Sequence, residues 1–219
     1  MPRQPRLLLP HSFYHIITRG NNKNQIFRDK KDYLAYFKIL KKYKQEHPFD
    51  LYHYVLMPNH THFLIKTKDK DFSVFMKKLD LAYFYHFKFR YGWVGHFWQG
   101  RFKSQPVGKD EYFIQAGKYI ELNPVKAKIV KFPEDYQFSS YKFYAFGKAD
   151  SLVTSDFFYE QLGKNSKKRQ GNYQKLLVDD IIKDSYKKPV WGSFPQRKNE
   201  QNKIDYRLKK KGRRKTFKI

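Results

Sequence analysis

The 219 residues carry 46 Lys and Arg against 20 Asp and Glu, a formal charge of +26. An excess that large repels itself within a compact chain and points to a polyanionic partner, with a membrane surface the weaker option. No cysteine is present, which excludes a disulfide framework, a thiolate metal site and a cysteine nucleophile.

The N-terminal Met1-Pro2-Arg3-Gln4-Pro5-Arg6-Leu7-Leu8-Leu9-Pro10 has too short an apolar stretch for a signal peptide. No run along the chain approaches the ~20 apolar residues of a spanning helix, so a reducing, cytoplasmic location is expected. Phe13 to Thr18 reads as a first strand, ended by the turn-prone Arg19-Gly20-Asn21-Asn22. Asp32 to Gln45 is a predicted helix, with Leu34, Phe37 and Leu40 at three-to-four spacing. Leu51 to Met57 and His60 to Lys66 are strands joined tightly through Pro58-Asn59, an antiparallel hairpin. A second helix runs from Phe72 to about Arg90, with Phe72, Phe75, Met76, Leu79, Tyr83 and Phe87 along one side, broken by Gly92 and Gly95. Arg101 to Val107 is a fourth strand, and Asp110 to Asn123 a third helix that stops at Pro124. The order predicts an α+β layer, an antiparallel sheet with helices packed on it. Beyond it, residues 151–195 are expected to form a helical extension, with a helix from Asn172 to Asp184. Residues 196–219 should form a disordered basic tail, including Lys209, Lys210, Lys211, Arg213 and Arg214.

Within the third strand, His60-Thr61-His62 sets two imidazoles on one face, because side chains alternate along a strand. Such a pair can ligate a metal, although a His-x-His alone is a weak motif. On the third helix Phe113, Ala116 and Ile120 form the core stripe, while Tyr119 and Asn123 stand one turn apart. With 18 tyrosines in the chain, spacing alone does not choose a nucleophile, and Tyr112 lies near the same face. The chain also holds 21 Phe and 3 Trp, many beside basic residues, as in Lys88-Phe89-Arg90-Tyr91. Cations on phosphates and rings on unpaired bases are how single strands are held.

Four blocks carry a resemblance. They are Met57-Pro58-Asn59-His60-Thr61-His62-Phe63, Phe97-Trp98-Gln99-Gly100-Arg101-Phe102-Lys103, Lys118-Tyr119-Ile120-Glu121-Leu122-Asn123-Pro124-Val125-Lys126-Ala127 and Asp135-Tyr136-Gln137-Phe138-Ser139-Ser140-Tyr141. In order and spacing, across residues 11–146, the chain resembles the single-tyrosine HUH transposases, most closely the REP-associated tyrosine transposases of bacteria. The resemblance implies a ferredoxin-like antiparallel sheet with helices on one face (the HUH endonuclease fold) over residues 1–150. It implies Tyr119 as nucleophile, and His60, His62 and Asn123 as ligands of a divalent metal, Mg²⁺ or Mn²⁺. It implies single-stranded DNA at a palindromic hairpin as substrate, and a protein at the nucleoid that acts as a monomer, with a dimer the alternative. Arg19, Asn21, Arg101 and Lys103 lie in blocks that can contact DNA.

A phenol with pKa ~10 is a weak nucleophile at neutral pH unless helped, which is what a metal among imidazoles and an amide oxygen provides. Attack on a phosphodiester would give a 5′-phosphotyrosine and a free 3′-OH, a link that a second 3′-OH can reverse without ATP. Two other readings stay open: a hairpin DNA- or RNA-binding protein without turnover, and a metal hydrolase that uses water.

Overall fold

Four strands pair into one antiparallel sheet. The computed structural model describes residues 8–68, 72–108 and 111–182. In it β1 (Phe13–Arg19), β2 (Asp50–Met57), β3 (His60–Lys66) and β4 (Lys103–Val107) lie in the order β2-β3-β1-β4. β1 leads to β2 through α1 (Lys30–Glu46), and β3 to β4 through α2 (Phe72–Tyr91), which is the βαββαβ order of a ferredoxin-like fold. The hairpin puts Met57 opposite His60 and Val55 opposite His62, and β1 on the other side of β3 puts Arg19 opposite His60 and Ile17 opposite His62.

Helices α1 and α2 cover one face of the sheet, where Tyr36 meets Phe63 and Tyr83 at ring separations of 6.4 and 4.9 Å. α2 buries the six residues its spacing predicts. α1 is turned relative to its predicted stripe: it buries Asp32, Tyr33, Tyr36 and Leu40, while Leu34 is 54% exposed. Tyrosine has the apolar body of a core residue, and a stripe drawn through Leu34 and Phe37 passes over Tyr33 and Tyr36. Asp32 is buried only because it is paired. It accepts from Arg90 Nη1 at 2.6 Å and from the Tyr91 hydroxyl at 2.9 Å, tying the end of α2 to the start of α1.

The expectation of helices on one face holds for α1 and α2, but α3 (Glu111–Lys126) crosses the other face. Its Phe113 packs on the rings of Phe13, Tyr52 and His53 at 5.3, 5.3 and 6.2 Å. With the first face filled, the apolar stripe of Phe113, Ala116 and Ile120, all buried, has only this surface left to cover. Nor does α3 stop at Pro124; it continues to Lys126 with the proline inside. A proline so near the end removes one N–H from the last turn, and its own carbonyl accepts from Ile129 N at 2.9 Å as the chain turns away. Asn123 is therefore fully helical.

Residues 151–182, expected as a separate extension, fold onto this body. Thr154 N donates to Leu51 O at 2.7 Å. α4 (Tyr141–Phe146), α5 (Phe157–Gln161) and α6 (Ser166–Ile182) bury Tyr141, Tyr144, Tyr159, Tyr173 and Leu177 against Leu122 of α3. The outer edge of β2 is closed by Phe138–Ser140: Leu56 N donates to Phe138 O at 2.9 Å and Ser140 N to Tyr54 O at 3.0 Å. No helix among the described residues is long and apolar enough to cross a membrane. The predicted tail, with Lys209, Lys210, Lys211, Arg213 and Arg214, lies outside the described residues.

Candidate active site

Three loops meet where β3 begins. Gly20 N donates to Asn59 O at 2.9 Å, Asn21 N to Phe97 O at 2.8 Å, and Gln99 N to Arg19 O at 2.8 Å. These bonds pin the end of β1, the β2–β3 turn and the Phe97–Gly100 loop together. Gly20 is required there, since a Cβ would lie 2.5 Å from the backbone oxygen of Asn24. The knot holds His60 at the mouth of the sheet face and His62, buried, one step inside.

Each histidine is oriented through Nδ1. Asn59 Oδ1 faces His60 Nδ1 in a short hydrogen bond, and His15 Nε2 lies 2.8 Å from His62 Nδ1. A metal-bound imidazole ordinarily donates its second ring N–H to a neighbour. With both Nδ1 atoms so engaged, the Nε2 atoms are the pair left for an ion. Burial lowers His60 and His15 to about 4 and His62 well below its ordinary value, with Arg19 adding to the shift at His60 and His62. All three are neutral near pH 7, the form that ligates. Among the described residues no three His, Asp or Glu side chains are grouped to hold an ion. Asn123, one turn beyond Tyr119 on α3, carries an uncharged amide oxygen. Its Nδ2 donates to Tyr119 O at 3.0 Å, which turns Oδ1 away from the helix backbone.

Tyr119 stands edge-on to both inner histidines, its ring 5.9 Å from that of His62 and 6.0 Å from that of His15. Tyr112, the other candidate on α3, is 53% exposed. Burial raises the Tyr119 phenol above its ordinary value, and a hydrogen bond with Asn123 works against that shift. Lys126 Nζ lies 5.1 Å from the centre of the ring, where a cation favours negative charge on the phenol.

Of the predicted DNA contacts, Arg19 and Lys103 are exposed and share the face of His60 and His62, through the pairs Arg19–His60 and Lys103–Ile17–His62. Lys103 is lowered first by partial burial and then by the nearby Arg19 charge. Asn21 is half-buried in the loop knot, and Arg101 is exposed just before β4. Trp98 is partly buried and packs against the core, its Nε1 donating to Asp80 O at 2.9 Å. His86 pairs with Asp32 at 3.4 Å, a structural role, and His96 is exposed. Spacing pointed to none of His15, Asn59 or Lys126 as site residues. His15 could have been found only from the β1–β3 register, and Lys126 only from its place two turns beyond Tyr119.

His53 is the centre of a buried ionic cluster. Its Nδ1 lies 3.0 Å from Glu121 Oε1 and its Nε2 3.1 Å from Asp156 Oδ2, so both nitrogens donate and the ring is an imidazolium. Burial lowers its pKa, but the hydrogen bonds and charges of Asp156 and Glu121 outweigh this and lift it to about 9. Ser140 Oγ and the Tyr173 hydroxyl each donate to Glu121 at 2.6 Å, Tyr159 N donates to Asp156 at 2.6 Å, and Tyr144 stacks on the imidazole at 4.5 Å. Gly117 leaves the room: a Cβ there would lie 2.8 Å from His53 Nε2. Because two carboxylates fix that ring, Gly117→Ala is expected to cost about 1–3 kcal/mol, read as a lower urea midpoint. An unchanged midpoint would mean that the cluster yields.

These histidines bend stability in opposite directions with pH. Below 6.5 the unfolded chain takes up protons that the folded chain refuses at His15, His60 and His62, so stability falls as pH drops toward about 4. The contribution of His53 is complete below 6.5 and is lost as pH rises through about 9. Metal-free urea melts are expected to peak near pH 6.5, with a flattened alkaline limb in His53→Gln; an unaltered limb would refute the assignment.

A cavity of about 280 Å³ beside His53, lined by Phe113, Lys118, Asp156 and Tyr173 among others, includes none of His60, His62 or Tyr119.

Comparison with known proteins gives the same direction. A family model described as "Transposase IS200 like" matches residues 10–123. The chain is similar in structure to a REP-associated tyrosine transposase bound to a REP hairpin, with 22% identity, 71% of this chain and 93% of that one covered, and a TM-score of 0.58. That likeness bears on the fold. Weaker likenesses are to a putative transposase from Deinococcus radiodurans R1 (17% identity, 61% and 97% covered, TM-score 0.38) and to tRNA(His) guanylyltransferase from Saccharomyces cerevisiae (11%, 78% and 79%, TM-score 0.39). At those scores neither carries an argument. No curated protein matches the chain in sequence.

Proposed function

The chain belongs to the IS200-like transposase family, and from that membership we propose that it is a metal-dependent single-strand DNA endonuclease and strand transferase acting at hairpin DNA. The observation that carries this reading is the edge-on approach of Tyr119 to His62 and His15, at 5.9 and 6.0 Å, on the face where His60 also stands. A protein that only bound DNA would have no use for a half-buried phenol among neutral imidazoles.

In the proposed reaction the Tyr119 oxygen attacks phosphorus in line. An O–P bond to the phenol forms as the bond to the 3′ oxygen breaks; the phenol gives up its proton, and the departing oxygen takes one up. The product is a 5′-phosphotyrosine, and a second 3′-OH can run the step backwards to join a new strand. The hydrogen bond with Asn123 works against the burial that raises the phenol, and the Lys126 cation over the ring adds a positive charge on the same side. Arg19 and Lys103 draw phosphate to the rim of the site. His60, His62 and Asn123 would hold Mg²⁺ or Mn²⁺, with His15 and Asn59 fixing the two rings. Such an ion supplies Lewis-acid stabilisation of the non-bridging oxygens.

The hairpin substrate rests on the solved relative, which is bound to a REP hairpin, and on the +26 charge. Incubating the protein with a 5′-labelled and a 3′-labelled hairpin oligonucleotide and Mn²⁺ tests the reading. A denaturation-resistant adduct on the fragment 3′ to the cut is expected. Cleavage without adduct would favour a water-using hydrolase, and binding without cleavage a non-catalytic protein.

A further inference from the structure

The nucleophile's helix is fastened at one point by groups from four other segments. Glu121 receives His53 from β2, Ser140 from the segment closing the β2 edge and Tyr173 from α6, while Asp156, at the start of α5, holds the far side of His53. Glu121 is 0% exposed and both its oxygens are engaged. Ser140, Asp156 and Tyr173 all lie beyond residue 123, where the family match ends.

Tyr119 and Glu121 flank the buried Ile120 on α3, about 100° to either side of it. Any roll of α3 that moves the phenol must therefore pull Glu121 away from its partners. Gly117 closes the same clamp from the backbone side, since its missing Cβ lets α3 settle against the His53 ring. Side chains reach about 5–6 Å from a helix axis, so a roll of roughly 10° shifts a side-chain tip by about 1 Å. A misplacement of about 1 Å can cost on the order of 10²-fold in rate.

We propose that His53 and Glu121, clamped by Ser140, Asp156 and Tyr173, are positioning residues that set where Tyr119 stands over the histidine pair. The segment after α3 is thereby part of the catalytic apparatus. The effect on rate rests on the function proposed above; the effect on position does not.

The test uses the full chain carrying 3-fluorotyrosine at position 119, with Glu121→Gln and the milder Tyr173→Phe. Each is measured well below its own melting temperature. Three quantities are read: the ¹⁹F resonance of residue 119, the single-turnover rate of adduct formation with Mn²⁺ and a hairpin oligonucleotide, and the Kd for that hairpin. The expected result is a displaced ¹⁹F resonance in both variants and a rate lowered at least about tenfold in Glu121→Gln, with Kd unchanged within twofold. A resonance identical to that of the parent in both variants overturns the clamp, whether or not the parent forms adducts. If the resonance moves while the rate of the folded variants equals that of the parent, the catalytic part of the proposal is overturned. Absence of adduct in the parent, with a displaced resonance in the variants, refutes the proposed function and supports the positioning.

Discussion

Tyr119→Phe is expected to abolish the covalent adduct and to lower cleavage by about 10⁴-fold or more, the scale of loss when a covalent nucleophile is removed. Hairpin affinity should stay within a few-fold, because the phosphate contacts proposed for Arg19, Lys103 and the remaining basic surface do not pass through the phenol. The ring is retained, so its edge-on contacts with His15 and His62 survive and folding is spared. Denaturing gel electrophoresis with labelled oligonucleotide, beside a binding isotherm at fixed salt, reads both halves. An adduct that persists in Tyr119→Phe would move the nucleophile to another tyrosine, with Tyr112 first to be examined.

His62→Gln is expected to lower metal-dependent adduct formation by at least about 10²-fold and to weaken Mn²⁺ binding measured by calorimetry, while hairpin affinity in chelator is unchanged. His62 is 4% exposed and loses its ordinary basicity to burial, so its lone pair is free at neutral pH. Glutamine keeps much of the volume and a hydrogen-bonding group toward His15, which limits the structural damage. Stripping the parent protein with chelator should produce the same loss, reversed by Mn²⁺ or Mg²⁺. Full activity in chelator would separate the histidine pair from any metal role and leave it as packing around Tyr119.

Much of the sheet was readable in advance because its signals are local. The hairpin needed only Pro58-Asn59 between two apolar runs, and β3 begins and ends where that reading places it. The six buried residues of α2 are large, apolar and at helical spacing, so burial and periodicity agree. In α1 the predicted Leu40 is buried, but Tyr33 and Tyr36 take the core positions read at Leu34 and Phe37. Pro124 looked like a stop, but one lost N–H in a final turn is a small penalty beside a packed stripe. α4 and α5, six and five residues long, are too short to leave a periodic trace. The chemistry divides in the same way. His60, His62, Tyr119 and Asn123 lie in short motifs, whereas His15 is 47 residues from His62 and His53 is 68 from Glu121. Such pairings exist only once strand order and register are known.

The closed rim of the sheet has a consequence for how copies of this protein behave when crowded on DNA. Phe138–Ser140 occupy the hydrogen-bonding edge of β2, and the opposite edge, β4, is five residues long with Pro106 inside it. A strand from a neighbour therefore meets an occupied ladder on one side and a short, proline-interrupted one on the other. A protein this rich in aromatic and β-forming residues is thereby protected from growing into fibrils through its own sheet.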